Sequence, residues 1–435
     1  LDSGTGKVLT MTDSLPPLSS SPGNQSRESQ VPIIGIGASA GGIEALRRFF
    51  GAAPTDGGVA YVVVLHLDPD RKSRIDHILE RTTAMPVEQV AEDTAIQPDR
   101  IYIIPPKKQL EIDDGAIRVF PLSKERPRLT IDRLFRSLAA SRRSEAVGVV
   151  LSGSGRDGAL GLRAIREQGG ITATQDPSDA EFPEMPRSAA EEGRADLVLA
   201  ADELPVELLR ILAAHDGAAS DTSTTDRLSE AESVVDGILA HLEEDTGHSF
   251  RQYKRATILR RLDRRMRFCR AGTLPEYSRR IEADPKERRE LFQDLLISVS
   301  QFFRDPEAYQ ALEADVIPRI FEGKDGDDQV RVWVPGCATG EEAYSLAMLL
   351  HEHAAEVSPR TEIRIFATDI DERALAFARR GHYPPSVTEA IPPERLERFF
   401  KNEEFGYHVL RRIRESILFA PHGLLVDPPF PRLDL

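Results

Sequence analysis

Ser39 sits in the string Gly35-Ile36-Gly37-Ala38-Ser39-Ala40-Gly41-Gly42, where an apolar run over 31–36 gives way to a helical pattern over 42–50. Small residues on both sides permit a tight strand-to-helix turn with the hydroxyl exposed. The N–H groups after Ser39 then lie at a helix N-terminus, where they can stabilise an anionic oxygen. A Gly-rich phosphate-binding turn of the dinucleotide kind fits the same spacing equally well. Two further sites favour hydrolysis. Within an apolar stretch at 59–67, Tyr61-Val62-Val63-Val64-Leu65 leads to His66 and then Leu67-Asp68-Pro69. The run 146–151 leads to Ser152-Gly153-Ser154-Gly155-Arg156-Asp157-Gly158, whose glycines bring Asp157 round on a tight loop. Parallel sheets keep their sites at the C-terminal ends of strands. Serine, histidine and carboxylate at three neighbouring strand ends make a hydrolase triad, with His66 taking the proton of Ser39 and Asp157 orienting the imidazole. The plainer alternatives are a capping or core histidine and a turn aspartate.

A second chemistry is written further along. The strand Val330-Arg331-Val332-Trp333-Val334 runs into Pro335-Gly336-Cys337-Ala338-Thr339-Gly340-Glu341-Glu342, and a helix follows. A glycine loop between strand and helix lets a ligand approach the backbone. The next strand, 363–368, ends in Asp369, placed to accept hydrogen bonds from ribose hydroxyls. A nucleoside cofactor is expected. No Lys-Ser or Lys-Thr follows the glycines, which argues against a P-loop. Glu341 and Glu342 repel a pyrophosphate, which favours the sulfonium of S-adenosylmethionine over a dinucleotide.

Between these blocks, residues 251–270 hold nine basic side chains against one acid, Asp263. Ile258, Leu259, Leu262, Met266 and Cys269 recur at helical spacing as one apolar stripe. The charge points to an acidic partner. The alternative is a solvated helix neutralised by acids such as Glu243, Glu244 and Asp245. Nucleic acid fits poorly, because no aromatic or glycine pattern interleaves with the charges.

The elements that must position these groups fall into blocks. At 435 residues, two or three domains are expected. Residues 1–30 read as a disordered tail, with no signal segment. Residues 31–213 alternate strands with helices at 42–50, 131–141 and 158–168, so an α/β fold with a doubly wound, mostly parallel sheet is expected. Residues 214–228 read as a linker, 229–322 as a helical domain, and 323–435 as a second, Rossmann-like α/β domain. Lys and Arg number 56 against 71 Asp and Glu, a formal net charge of −15, which disfavours general nucleic-acid binding. No apolar run is long enough to span a membrane. Two cysteines, Cys269 and Cys337, cannot staple so large a fold and suggest a reducing, cytoplasmic compartment. No residues are assigned to a metal.

As a set, the motifs of 31–213 resemble the catalytic domain of the CheB family, the chemotaxis protein-glutamate methylesterases. Besides the strings above, Ile101-Tyr102-Ile103-Ile104-Pro105-Pro106, Pro127-Arg128-Leu129-Thr130-Ile131-Asp132-Arg133-Leu134-Phe135 and Met185-Pro186-Arg187-Ser188-Ala189 fit. The resemblance implies that Ser39, His66 and Asp157 are nucleophile, base and orienting acid, and that the amides of Ala40 and Ser154 hold the oxyanion. The family hydrolyses γ-methyl esters of glutamates on chemoreceptor helices, releasing methanol, and many members deamidate glutamines. The better-known members carry an N-terminal receiver domain, which is not found here. Ala40 replaces a common threonine, and Ser154 a common methionine.

From about 235 onward the chain resembles CheR, the chemotaxis protein-glutamate methyltransferases. The agreement lies in Tyr253-Lys254-Arg255-Ala256-Thr257-Ile258-Leu259-Arg260-Arg261, Val299-Ser300-Gln301-Phe302-Phe303-Arg304-Asp305, the glycine loop with Glu341 and Glu342, and Ala367-Thr368-Asp369-Ile370-Asp371. The resemblance implies S-adenosylmethionine held at Gly336, Ala338, Thr339, Gly340, Glu341 and Asp369, with Arg304 near the methyl-transfer centre. It also implies receptor docking through Arg260, Arg261 and Arg264. The family's later strands lie beyond Leu435, and Gly423 stands where a cofactor-contacting asparagine is usual. An impaired transferase half of a longer fusion is therefore expected. Resemblance to related fusions implies downstream PAS-type or kinase modules. The leading reading is a bifunctional modifier of receptor glutamates. Its rivals are a sensory scaffold with vestigial catalytic domains and a dehydrogenase that would bind NAD.

Overall fold

The computed structural model describes residues 31–66, 75–113, 115–122, 129–216, 225–296, 300–324, 328–403, 406–424 and 426–435. The expected tail at 1–30 lies outside them, as do Leu67-Asp68-Pro69, Pro127, Arg128 and Val299.

The first block runs β1 (Ile33–Ala38), α1 (Gly42–Ala52), β2 (Ala60–Leu65), α2 (Ile75–Glu80), β3 (Val87–Gln89), β4 (Thr94–Ala95), β5 (Arg100–Ile103), β6 (Lys108–Asp113) and β7 (Ala116–Pro121). It continues with α3 (Thr130–Arg142), β8 (Ala146–Val150), α4 (Ala159–Glu167), β9 (Ile171–Gln175), α5 (Glu184–Glu191), β10 (Leu197–Leu199) and α6 (Leu204–Asp216). Seven strands form a parallel sheet in the order β10-β9-β8-β1-β2-β5-β3. β1, β2 and β8 are buried along their whole length. That explains their unbroken apolar runs: helices cover both faces, so no alternation is needed. The order reverses between β1 and β8, which makes this the switch point where such sheets open a crevice. A separate antiparallel sheet, β4-β7-β6, packs Leu110, Ile112 and Ile117 into the same core. None of the elements expected from the sequence falls there. Period-two alternation around Asp114-Gly115 was the available signal.

The helical block contains α7 (Thr225–Thr246), α8 (Arg255–Cys269), α9 (Leu274–Ala283) and α10 (Pro285–Leu295). Thr273 and Asp284 cap α9 and α10 through their side chains, each followed by a proline in the first turn, where no N–H is missed. The expected linker 214–228 is corrected at both ends: α6 reaches Asp216, α7 starts at Thr225, and 217–224 lie outside the described residues.

The third block has α11 (Pro306–Ala311), α12 (Ile317–Phe321), β11 (Gln329–Pro335), α13 (Glu341–Val357), β12 (Glu362–Asp369), α14 (Glu372–Arg380) and β13 (His382–Tyr383). Then come α15 (Pro393–Phe399), β14 (Phe400–Glu403), β15 (Gly406–Val409), α16 (Arg411–Arg414) and β16 (Ile417–Pro421). β11, β12 and β16 are parallel neighbours, and β13-β15-β14 form a small antiparallel sheet. One core cluster joins them around Tyr344, Leu350 and Tyr383. Beyond β16, Asp434 N donates to Arg331 O (2.8 Å) and Leu435 O accepts from Trp333 N (2.9 Å), so the last residues run beside β11. No helix among the described residues is long and apolar enough to cross a membrane.

Candidate functional site

Ser39, His66 and the loop carrying Asp157 follow β1, β2 and β8, three adjacent strands. Their register fixes the approach. His66 N donates to Ala38 O (3.0 Å) and Ser39 N to Ser152 O (3.0 Å), so the three strand ends are laced together by backbone bonds. Gly41, at φ +70, caps α1 in the left-handed region, and a Cβ there would lie 2.6 Å from Ser152 Oγ. A Cβ on Gly153 would lie 2.9 Å from the Ser39 Cβ and 2.2 Å from Met185 Sδ. Only glycine permits that approach.

The His66 ring is held through Nε2, which lies 2.9 Å from Asp157 Oδ2 and 3.0 Å from Thr130 Oγ1. Among the described residues, no hydrogen bond joins the ring to Ser39 Oγ. The Asp157 carboxylate accepts from Ile131 N (3.0 Å) and Asp132 N (2.8 Å), the first turn of α3. In return Asp132 Oδ1 accepts from Gly158 N (3.0 Å) and Gly161 N (2.6 Å), the first turn of α4. Two carboxylates thus cap each other's helices at the positive ends of their dipoles. Asp132 is buried with Oδ2 unpartnered. Burial, reinforced by the charge of Asp157, raises its carboxyl to about 7. Thr130 and Asp132 carry part of this geometry, though nothing in their string Thr130-Ile131-Asp132 marks them for it.

Around Ser39 most amides are occupied. Ser39 N, Gly42 N and Gly153 N bond to backbone oxygens, and Gly155 N to Glu184 Oε2 (3.1 Å). Among the described residues, no protein acceptor is found for the amides of Ala40, Gly41 and Ser154. Ser152 Oγ donates to Ala40 O (2.9 Å) and accepts from Phe182 N (3.0 Å), while Ser152 N donates to Gln175 Oε1 (2.9 Å). These bonds hold the loop after β8 against the turn after β1.

In the third block, Gly336 (φ +67) and Gly340 (φ +93) bend the loop between β11 and α13. Asp369 at the end of β12 accepts from Ala338 N (2.8 Å) and Asp371 N (2.8 Å). Thr339 Oγ1 donates to the buried Glu341 carboxylate (2.6 Å), and Thr339 O accepts from Tyr383 OH (2.7 Å). The space beside Gly336 is open, with no atom within 4 Å of where a Cβ would point. Carboxylates beside an open glycine loop suit ribose hydroxyls and a cationic sulfonium, so the residues fit S-adenosylmethionine. Gly423 lies beside Ile370, next to Asp369, with ordinary room for a Cβ. Arg304 is exposed and opposes, by its charge, the rise that burial causes in Glu342.

The expected docking arginines are placed differently. Arg260 is exposed, but Arg264 and Arg261 are buried. Arg264 pairs with Asp294 and with Asp196 and donates to Gly170 O (3.1 Å). Arg261 donates to the carbonyls of Arg166 and Glu167 at the C-terminus of α4. Burial of Arg261, with Arg264 nearby, lowers its pKa to about 10. Leu259, assigned to the apolar stripe, is 42% exposed instead. The helix therefore buries two faces. Its apolar face packs in the helical core, and its arginine face neutralises acids and carbonyls between blocks. Arg261 and Arg264 are not available for a receptor in this structure.

Residues 34–208 match the CheB methylesterase family, 235–296 the all-alpha domain of CheR methyltransferase, and 298–435 its SAM binding domain. An uncharacterized 104.1 kDa protein from the hypE 3′ region of Rhodobacter capsulatus is 34% identical over 377 residues, 82% of this chain and 40% of that protein. The chain thus spans well under half of that relative's length. A methylesterase-type relative from Leptospira interrogans is 33% identical over 182 residues, 41% of this chain and 93% of its own length. Protein-glutamate methylesterase/protein-glutamine glutaminase 2 of Burkholderia lata is 34% identical over 190 residues, 43% of this chain and 56% of that protein. The crystal structure of the Thermotoga maritima CheB methylesterase catalytic domain aligns over 41% of this chain and 97% of its own, at 27% identity and a TM-score of 0.39. The chain belongs to the CheB methylesterase family and carries the helical and cofactor-binding domains of CheR behind it, a CheB–CheR fusion.

Proposed function

We propose that the first domain hydrolyses methyl esters of glutamate side chains on chemoreceptor helices. The observation that carries this reading is the His66–Asp157 contact at 2.9 Å, at the strand end next to Ser39. Ser39 Oγ attacks the ester carbonyl while His66 takes its proton at Nδ1. Asp157 holds the ring through Nε2 and stabilises the imidazolium. The tetrahedral oxyanion is received by the amides of Ala40 and Ser154, each such donor contributing roughly 10²–10³ in rate. Collapse expels methanol, protonated by His66, and water then cleaves the acyl-serine by the reverse roles. A glutamine substrate gives ammonia in place of methanol.

The second activity in this reading is methyl transfer to the same class of glutamate. Bound S-adenosylmethionine supplies an electrophilic methyl group. Asp369 and the 336–340 loop hold its nucleoside portion, Glu341 answers its positive charge, and Arg304 orients the target carboxylate. Positioning is the main work of such a site. The reading includes a cytoplasmic site of action.

The test is methanol release from a methyl-esterified receptor helical domain by the chain and by Ser39→Ala. Loss in the variant is expected. Hydrolysis that persists in Ser39→Ala sinks the triad assignment, and no release from the folded parent chain favours the scaffold reading. Titration with S-adenosylhomocysteine tests the expectation of an impaired transferase.

A further inference from the structure

The methylesterase domain meets the cofactor loop of the transferase domain directly. Arg163 of α4 donates from Nη1 to Thr339 Oγ1 (3.1 Å), and that hydroxyl donates to Glu341 Oε2 (2.6 Å). A cavity of about 270 Å³ lies beside this relay. One wall is the methylesterase domain, with Arg136 of α3 and Arg163 and Glu167 of α4. The other wall is the transferase domain, with Glu341, Phe302 and Phe377. Two guanidinium groups and two carboxylates line the cavity beside aromatic surface, with Arg163 Nε paired to Glu167 Oε1 (3.0 Å) one turn along α4. That set complements a zwitterion: carboxylates hold an ammonium, and guanidiniums hold a carboxylate. The volume falls just below the roughly 300–1,000 Å³ of whole-ligand pockets, so the cavity accommodates part of a ligand.

We propose that this cavity receives the amino-acid end of S-adenosylmethionine, so that the transferase's cofactor site is completed by Arg163 and Glu167 of the methylesterase domain. The proposal rests on the CheR reading of the third block. Burial raises the Glu167 carboxyl, Arg163 opposes the rise, and the charge of Glu341 adds to it. An ammonium arriving between the two carboxylates relieves that repulsion. Family resemblance alone confines the cofactor to the CheR domains. Here its affinity depends on a domain that catalyses the opposite reaction.

The experiment is calorimetric titration of the full chain with S-adenosylhomocysteine and with 5′-methylthioadenosine, which keeps the nucleoside and thioether but lacks the amino-acid end. Arg163→Ala and Glu167→Gln are expected to weaken S-adenosylhomocysteine about tenfold, as for one lost charged hydrogen bond, and to leave 5′-methylthioadenosine within about twofold. Ala164→Phe, which fills the cavity, is expected to do the same. Circular dichroism checks that each variant is folded. Unchanged S-adenosylhomocysteine affinity in the folded variants, or a parallel loss of both ligands, overturns the proposal. A parent chain that binds neither ligand overturns the cofactor-site reading of the third block, and with it this proposal, and is recognised before any variant is made.

Discussion

Arg264→Ala removes a cation that is 1% exposed from between Asp294, at 0%, and Asp196, at 6%. Arg166 remains for both acids, 2.6 Å from Asp196 and in contact with Asp294, while the Gly170 carbonyl loses its donor. Removing one partner of a buried pair costs about 3–5 kcal/mol, whereas an exposed pair is worth about 0–1 kcal/mol. An independent route gives a similar size. Burial alone raises the Asp294 carboxyl, but Arg264 and then Arg166 override it and hold it at about 2, against an ordinary value of 3.8. At about 1.4 kcal/mol per pKa unit, the charged form contributes about 2–3 kcal/mol at neutral pH. The sign follows from a depressed folded pKa: this contribution is complete above about pH 4 and fades as pH falls towards 2. In Arg264→Ala it is smaller throughout, and it is exhausted at a higher pH because the folded pKa lies closer to 3.8. Urea unfolding of the full chain at pH 7 and at about pH 3, inside that window, followed by circular dichroism, reads both effects. The exposed Arg260→Ala should stay within about 0.5 kcal/mol. A loss below about 1 kcal/mol for Arg264→Ala, joined to weakened receptor binding, would refute the buried-cluster reasoning and restore Arg264 to docking.

Three other outcomes are expected. Asp132, raised to about 7, contributes stability below about pH 4 that is lost as pH rises towards 7 and beyond. Asp132→Asn should flatten that slope in pH-dependent denaturation, because the amide oxygen can still accept from Gly158 and Gly161; an unaltered slope would show that Asp132 is not its source. Gly153→Ala, whose methyl would sit 2.2 Å from Met185 Sδ and 2.9 Å from the Ser39 Cβ, should cost about 1–3 kcal/mol and depress ester hydrolysis, and an unaffected rate would disprove the tight approach. Burial pushes the Cys269 thiol up to about 12 and that of buried Cys337 higher, so the native chain should resist Ellman's reagent at pH 8, with both thiols reacting in urea; rapid labelling of the native chain would contradict the burial.

Elements set by local residue patterns were legible in the chain. The runs that became β1, β2 and β8 could be read because strands buried on both faces need unbroken apolar residues. The placement of Ser39, His66 and Asp157 at neighbouring strand ends could be read because parallel strands bring their C-terminal ends to one edge. The glycine loop before α13 was legible because its backbone must turn sharply. Features fixed by long-range partners emerged only with the packed fold. Thr130 and Asp132 entered the site only when α3 laid its first turn against the loop after β8, a contact across 25 residues that no periodicity encodes. The arginines of α8 looked like a surface because charge run and periodicity say nothing about what lies opposite. Asp196 and Asp294 lie 68 and 30 residues away from Arg264 along the chain, and their burial with it turned a docking face into an internal seam. The cavity shared by α4 and the cofactor loop exists for the same reason: its walls come from two domains whose mutual placement depends on packing between blocks.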